Sequence, residues 1–342
     1  MKTIENDFAK HISCFLSQYL PGQLNSSPNT VASYRDTFKL FLCFCESEKG
    51  FKPERIRMKI ITKVLIEEYL DWLENCRQCS IATRNQRLAA IHAFCKYVQK
   101  ESLENFFEIQ KILFIPIKKK PQPVIPFLTI KEMEILLQQP NRNKVSGKRD
   151  LVLLATLYDT GARVQELIDL KIKDIRLDSP AVITLLGKGR KSRQVPIMKN
   201  THDLLEDYLK FYNGHNGYAL QDAPVFYNQY KTKLTRRGIS YIISKYVDMA
   251  KNTKDFRTET RITPHVFRHS RAAHMLQAGI NLVYIRDFLG HTSIASTEIY
   301  ARADSEMKRK ALESAYLDLE TGELPSWDQD GDLMSWLQNL CR

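Results

Sequence analysis

The stretch IPIKKKPQPVIPF, Ile115 to Phe127, holds four prolines and three consecutive lysines. Proline fixes φ and has no amide proton, so neither a helix interior nor a central strand can run through it. The segment reads as an extended basic linker over residues 115–127, with separate folding units on either side. A chain of 342 residues suits that division, because single hydrophobic cores stop growing at roughly 250–300 residues.

Before the linker the pattern is helical. In NTVASYRDTFKLFLCFCESE, residues Val31, Tyr34, Phe38, Phe41, Leu42 and Cys45 recur at helical spacing after a Ser-Pro-Asn start signal. In SIATRNQRLAAIHAFCKYVQK, residues Leu88, Ile91, Phe94, Cys95 and Val98 do the same behind Ser80 as N-cap. Arg84, Asn85 and Arg87 fall on the early turns of that helix, away from most of its apolar stripe. They are placed either to reach phosphates and base edges or to form a solvated face. After the linker, Thr129 and Glu132 have capping-box spacing at the start of another helix. AVITLLGKGRKSRQVPI reads as a β-hairpin around Gly-Lys-Gly, and helical patterns resume from about Thr201 to Tyr316. The fold class is mainly α with a small β-hairpin or sheet.

The formal net charge is +12, and the last 26 residues, with six acids against one base, carry −5 of it. The basic body suggests a polyanionic partner, nucleic acid being the commonest. Lys118, Lys119 and Lys120 suit a strap along a phosphate backbone. Seven cysteines point to reduced thiols, and Cys76-x-x-Cys79 lacks the second pair that a zinc site needs. No metal and no cofactor is expected. No apolar run is long enough to span a membrane, and the N-terminus lacks the apolar centre of a signal peptide. The expectation is a cytoplasmic protein, nucleoid-associated when bound.

Four clusters after the linker carry chemistry when taken together. YDTGARVQEL places Arg163 and Glu166 just after a glycine; the hairpin tip carries Lys188; TPHVFRHSRAAHML sets His265 and Arg268 three apart; LGHTSIASTEIYAR holds His291 and Tyr300. Singly, each fits a surface salt bridge, a turn lysine, a helix cap or an edge-of-core tyrosine. Jointly they supply two bidentate phosphate donors, two imidazoles that exchange protons near neutral pH, a lysine placed to act as general acid, and a hydroxyl nucleophile. No paired carboxylates of the metal-binding kind accompany them. The set reads as metal-free attack on a phosphodiester.

In order, spacing and flanking residues, these positions resemble the six catalytic residues of the tyrosine recombinases, the phage integrase family. The match runs from Arg163 in TGARVQEL and Lys188 in GKGRKSRQVPI, through His265 and Arg268 in HVFRHS, to His291 in LGH and Tyr300 in STEIYAR. The resemblance implies a helical, SAM-like core-binding domain over 1–114, the linker at 115–127, a catalytic domain over 128–316 and an acidic tail over 317–342. Together the two domains would form a C-shaped clamp on DNA. Tyr300 would form a 3′-phosphotyrosyl link, Lys188 would protonate the leaving 5′-oxygen, and Arg163 and Arg268 would clamp the non-bridging oxygens. His265 would assist proton transfer at the tyrosine, His291 would donate to a phosphate oxygen, and Glu166 would orient Arg163 or its neighbours.

The implied partners are double-stranded DNA with inverted-repeat core sites and further copies of the chain. A dimer would sit on each site, and a homotetramer would join two duplexes in a synaptic complex. Leu333, Trp336, Leu337 and Leu340 give the tail a small apolar face that would dock on a neighbouring protomer; the alternatives are that it folds back on its own domain or stays disordered behind its acidic spacer. The role expected is site-specific recombination for a mobile element by integration, excision or transposition. The same chemistry serves Xer-type chromosome or plasmid dimer resolvases and type IB topoisomerases, and an inactive relative would serve as an architectural DNA-binding protein. His269, Arg271 and His274 are further basic groups on or near the helix of His265 and Arg268, with no chemistry assigned.

Overall fold

The computed structural model describes residues 7–102, 104–119, 125–187, 191–216, 221–258, 260–291, 293–294 and 297–299. The chain divides into two compact units at Pro123–Val124, inside the proline-rich stretch. The first unit is helical: α1 (Asp7–Cys14) runs into a π-helical segment at Phe15–Gln23, followed by α2 (Pro28–Lys49), α3 (Lys63–Asn75), α4 (Ile81–Glu101) and α5 (Phe106–Leu113). Local signals set the boundaries. Ser27 caps α2 by accepting from the Thr30 amide with Pro28 in the first turn, and Gly50 ends that helix at φ +67°. Thr62 and Ser80 cap α3 and α4 in the same way. The core is aromatic: Phe15 is fully buried and meets Tyr19, Tyr34, Phe38, Phe94 and Tyr97 at ring separations of 5.4–6.3 Å. The apolar face of α2 is shifted from the spacing expected, with Thr37 and Phe44 buried and Val31, Tyr34 and Leu42 only partly so.

Arg84 and Asn85 differ from the solvated or DNA-facing placement that the sequence suggests. They are only 5% and 8% exposed. Arg84 Nη1 donates to the Pro116 carbonyl at 3.2 Å, and Asn85 Nδ2 donates to the Lys118 carbonyl at 2.8 Å while its Oδ1 accepts from the Lys118 amide at 3.2 Å. The reason lies in the stretch that they hold. A proline-rich segment cannot satisfy its peptide groups in a ladder of its own, so side chains of α4 satisfy them. Arg87 is half-buried and donates to the Ser33 carbonyl and Thr37 Oγ1, both at 3.1 Å. Lys118 and Lys119 are exposed, Lys118 pairing with Glu74, and Lys120 lies outside the described residues.

The second unit comprises α6 (Ile130–Gln138), α7 (Val145–Thr160), α8 (Val164–Asp169), β1 (Ile175–Arg176), β2 (Val182–Leu186), β3 (Ser192–Pro196), α9 (Lys199–Asn216), α10 (Arg236–Ala250), α11 (Pro264–Gln277) and α12 (Leu282–Leu289). The Thr129–Glu132 capping box forms with both of its hydrogen bonds. Helix α7 is the central element, buried on nearly every side from Asp150 to Thr160. Where a buried carboxylate occurs it is paired: Asp150 accepts from Arg149 and from the Tyr246 hydroxyl at 2.9 Å. The hairpin expected around Gly-Lys-Gly is present as antiparallel β2 and β3, and β1 adds a third strand in the order β1-β2-β3. In that register Ile183 faces Val195 and Leu185 faces Arg193 on the inward side of the sheet. The fold is thus mainly helical with one small sheet.

Replacing Asn85 by Ala removes both partners of the Lys118 peptide. The expected cost is about 1 kcal/mol, with amide exchange at Lys118 at least about tenfold faster by hydrogen-exchange mass spectrometry.

Candidate active site

Two glycine turns build the site. Helix α7 ends at Gly161 with φ +55°, and α12 ends at Gly290 with φ +66°. Both lie in the left-handed region, where a side chain is strained. Space is tight as well, since a Cβ on Gly161 would lie 2.8 Å from Leu289 Cδ2 and one on Gly290 would lie 3.0 Å from Arg193 Cδ, so the neighbour would have to move. These turns present carbonyls to arginines. Arg268, 4% exposed on α11, donates from Nη1 to Gly161 O at 2.7 Å and from Nη2 to Leu289 O at 2.6 Å. Arg163, at the N-cap of α8, donates from Nη2 to Gly290 O at 3.0 Å. Neighbouring carbonyls of one turn therefore hold both arginines that the sequence singles out.

Glu166 ties Arg163 down from the other side. Its Oε2 accepts from the Arg163 amide at 2.9 Å, and its Oε1 accepts from Arg163 Nη1 at 2.8 Å. Arg193, reaching in from β3, gives the same carboxylate two more bonds, Nη1 to Oε1 at 3.0 Å and Nη2 to Oε2 at 2.8 Å. Burial pushes the Glu166 carboxyl up, but the hydrogen bonds from Arg193 and Arg163 outweigh it and hold the group below the usual carboxylate range. Glu166 is ionised and shared between two cations.

The imidazoles line the same region. Gly290 makes the turn expected before His291, whose amide donates to Arg286 O at 3.0 Å. Its Nδ1 lies 2.9 Å from the hydroxyl of Thr297, a fully buried residue. Burial first, then Arg268, Arg163 and Arg193, push His291 down to about 4. A neutral ring that accepts from Thr297 at Nδ1 carries its proton on Nε2. His265 stands exposed on the first turn of α11, one turn before Arg268. Partial desolvation, then the charges of Arg268 and Arg163, hold it below its ordinary value. His269, next along the helix with its ring 6.4 Å from that of His265, is pushed down to about 4 by burial, then by His265 and Arg268.

Arg163, Glu166, His265, Arg268 and His291 are thus brought together on α8, α11 and the turn after α12. Lys188 and Tyr300 lie outside the described residues. The strands leading to Lys188 are in place, with the Gly187 amide donating to Lys191 O at 2.8 Å, and a helical turn at 297–299 leads to Tyr300. Among the described residues, no group of three or more His, Cys, Asp or Glu side chains is gathered as a metal would need. Arg193 is the member of the cluster to which the sequence assigned no role. The signal was an arginine at an inward position of a strand, which requires a buried acid to meet it. His274 and Arg271, also without a role, belong to the packing of α11 on α7. His274 Nδ1 lies 2.9 Å from the Tyr158 hydroxyl, and Arg271 pairs with Asp159 at 3.1 Å.

Comparison with known proteins agrees with this geometry. Residues 126–307 match the phage integrase family, and residues 6–111 match the phage integrase SAM-like domain. The chain belongs to the phage integrase family. It is a tyrosine recombinase. It is 34% identical over 330 residues to y4rC of Sinorhizobium fredii, named provisionally as an integrase/recombinase, covering 96% of this chain and 97% of that one. It is 30% identical over 306 residues to tyrosine recombinase XerC of Bacillus subtilis, covering 87% of this chain and 93% of the relative. Among solved structures, the XerH recombinase bound to palindromic difH substrate in a post-cleavage complex has a TM-score of 0.65 at 25% identity, over 85% of this chain and 80% of that one. The Tn1549 transposon integrase in complex with transposon right end DNA shares the fold, with a TM-score of 0.66 at 18% identity over 89% of this chain and 98% of that one. The tyrosine-recombinase fold, a SAM-like domain followed by a catalytic domain, is the one reached from the sequence.

The two depressed histidines make the recombinase sensitive to acid. A free histidine titrates near about 6.5, whereas His291 and His269 titrate at about 4 when folded. Between those values the unfolded chain binds more protons, so the stabilisation present above pH ~6.5 is lost as pH falls toward ~4. The melting temperature is expected to fall between pH 7 and 4.5. The slope should flatten in a His269→Gln/His291→Gln variant followed by calorimetry.

Proposed function

We propose that this recombinase cuts and rejoins DNA at specific sites through a 3′-phosphotyrosyl intermediate, without metal or ATP, in the service of a mobile element. The observation that carries the reading is the pair of arginines, Arg163 and Arg268, held on the carbonyls of one turn beside His265 and His291. Two fixed guanidiniums form a preorganised cradle for a phosphate whose charge grows as a fifth oxygen approaches. Tyr300 Oη forms the bond to phosphorus while the bond to the 5′-oxygen breaks, and Lys188 delivers the proton to that oxygen. The phosphotyrosyl bond keeps the energy of the phosphodiester, so rejoining to a new 5′-hydroxyl runs the same steps in reverse. His265 takes the tyrosine proton, and the Nε2 proton of His291 is donated to a non-bridging oxygen. A bound phosphate offsets the arginine charges that add to burial in depressing both imidazoles.

The division of labour follows the chain. Residues 1–114 bind the core site, 115–127 form the strap, 128–316 perform the chemistry and 317–342 contact a neighbouring protomer. Duplex DNA with inverted-repeat core sites is the partner, with a dimer on each site and a homotetramer joining two duplexes. XerH, solved on its difH substrate, supports a duplex partner. Lys118, Lys119 and Lys120 lie along phosphates, and Arg87 of α4, whose Nη1 donates to Ser33 and Thr37, is a further basic group of the same unit. Arg84 and Asn85 contribute to DNA binding by shaping the strap, because Arg84 Nη1 and the Asn85 amide are engaged with its backbone. The enzyme works in the cytoplasm, on the nucleoid when bound. Among the described residues no helix is long and apolar enough to cross a membrane. A second reading, a Xer-type dimer resolvase with the same chemistry, is favoured by the XerC relatives at 30–31% identity.

On a nicked suicide duplex recovered from a random pool, Tyr300→Phe is expected to bind as the wild type does and to form no covalent adduct. An adduct in that variant, seen by denaturing electrophoresis, would remove Tyr300 as nucleophile. Arg163→Ala is expected to slow single-turnover cleavage by about 10²–10³, the usual loss for one such donor. Binding of either protein should weaken steeply with salt, the slope reporting the phosphates contacted.

A further inference from the structure

Arg193 joins three parts of the second unit through one side chain. From β3 its guanidinium grips both oxygens of Glu166 at 2.8 and 3.0 Å, and its Nε donates to Phe288 O at 2.9 Å, at the end of α12. Its side chain is 12% exposed, against 35% for Arg163 on the same carboxylate. Its side chain packs closely on Gly290, where an added Cβ would lie only 3.0–3.3 Å from Arg193 Cδ, Nη1 and Nε. One side chain therefore pins the hairpin, the start of α8 and the turn that carries His291.

The electrostatic consequence is sharper than the mechanical one. A buried carboxylate facing a single guanidinium makes a neutral pair, which attracts a phosphate weakly. Glu166 faces two, so the trio of Arg163, Glu166 and Arg193 keeps one net positive charge. That charge falls on Arg163, the more exposed cation, where a phosphate can reach it. Without Arg193 the carboxylate is left to Arg163 alone, and the bidentate geometry now made by Arg193 is open to Arg163. A guanidinium drawn into that fork is turned away from the substrate.

We propose that Arg193 is a positioning residue of the recombinase: by occupying Glu166 it keeps the Arg163 guanidinium and its charge available to the scissile phosphate. Arg193 touches no reacting atom. It acts through Glu166, and it is a determinant of cleavage rate rather than of DNA affinity. The proposal rests on the phosphate-binding role assigned above to Arg163, and its prediction is read in folded protein as phosphate binding and cleavage, because for a merely structural arginine Glu166→Gln would restore stability alone. Removing the carboxylate should cure the loss of the arginine, because the uncharged amide of Glu166→Gln no longer competes for Arg163.

Full-length wild type, Arg193→Gln, Arg193→Lys, Glu166→Gln and the double variant Glu166→Gln/Arg193→Gln form the test, with two readouts. The first is inorganic phosphate binding, followed by the imidazole resonances of His265 and His291, which requires no DNA and no turnover. The second is single-turnover adduct formation on the selected nicked duplex. Arg193→Gln is expected to weaken phosphate binding at least about tenfold and to slow cleavage about 10²-fold, with duplex affinity unchanged. The double variant should regain at least about tenfold of each. Arg193→Lys keeps the charge without the fork and should fall between; it replaces Arg193→Gln if that variant does not fold.

A duplex carrying a 5′-bridging phosphorothiolate separates the two arginine effects, since a sulfur leaving group needs no proton. Rescue of Arg193→Gln to the wild-type rate on that duplex would assign Arg193 to delivering Lys188 from the hairpin and overturn the proposal. Wild-type rates in folded Arg193→Gln, or additive losses in the double variant, would overturn it too. If phosphate binding follows the expected pattern while the wild type forms no adduct on any duplex, the recombinase chemistry fails and the role of Arg193 stands.

Discussion

The Glu166 carboxylate, buried between two guanidiniums, is the interaction on which the rest of the site depends. A buried charge is tolerated only where partners replace the water that it has lost. Here the partners come from different elements. Arg163 belongs to the start of α8, and Arg193 belongs to β3 and reaches on to the end of α12. The desolvation penalty of one acid thereby fixes the relative placement of a helix start, a sheet and a turn. Arg268, held on the carbonyls of the Gly161 and Gly290 turns, repeats the device with backbone instead of carboxylate.

This arrangement explains why so small a sheet suffices. The hairpin buries Ile183, Leu185 and Val195 in the core of the second unit, and next to them the same inward face carries Arg193. A strand alternates its side chains, so one strand both anchors itself and supplies a cation at a fixed height above the core. The left-handed glycines complete the frame. They end α7 and α12 abruptly enough to aim carbonyls inward, where a longer turn would have left the arginines to solvent. The histidines are then depressed by their surroundings rather than by any single partner, since burial and the arginines act in the same direction on His291.

Much of this was legible in the residues. Capping signals at Ser27, Ser80 and Thr129 gave true helix starts, because a cap is decided by contacts three residues apart. The proline-rich break marked the division between units, and the Gly-Lys-Gly turn marked the hairpin. Other features were hidden. Strand β1 has only two residues and exists because β2 offers it an edge. Arg84 and Asn85 look like surface residues on a helical wheel, yet they turn inward, because the prolines downstream leave peptide groups that something must satisfy.

The sequence by itself determined the family and the helical character of both units, and it singled out the residues proposed to carry the chemistry. Those properties reside in residue type, local spacing and order along the chain, which packing does not alter. Tertiary structure alone decided which acid pairs with which base. Glu166 has Arg163 three residues away and Arg193 twenty-seven residues away, and only the fold reveals that the distant arginine makes the bidentate contact. The physical reason is that burial sets the strength of a charge interaction. Burial belongs to the packed chain and to no segment of it.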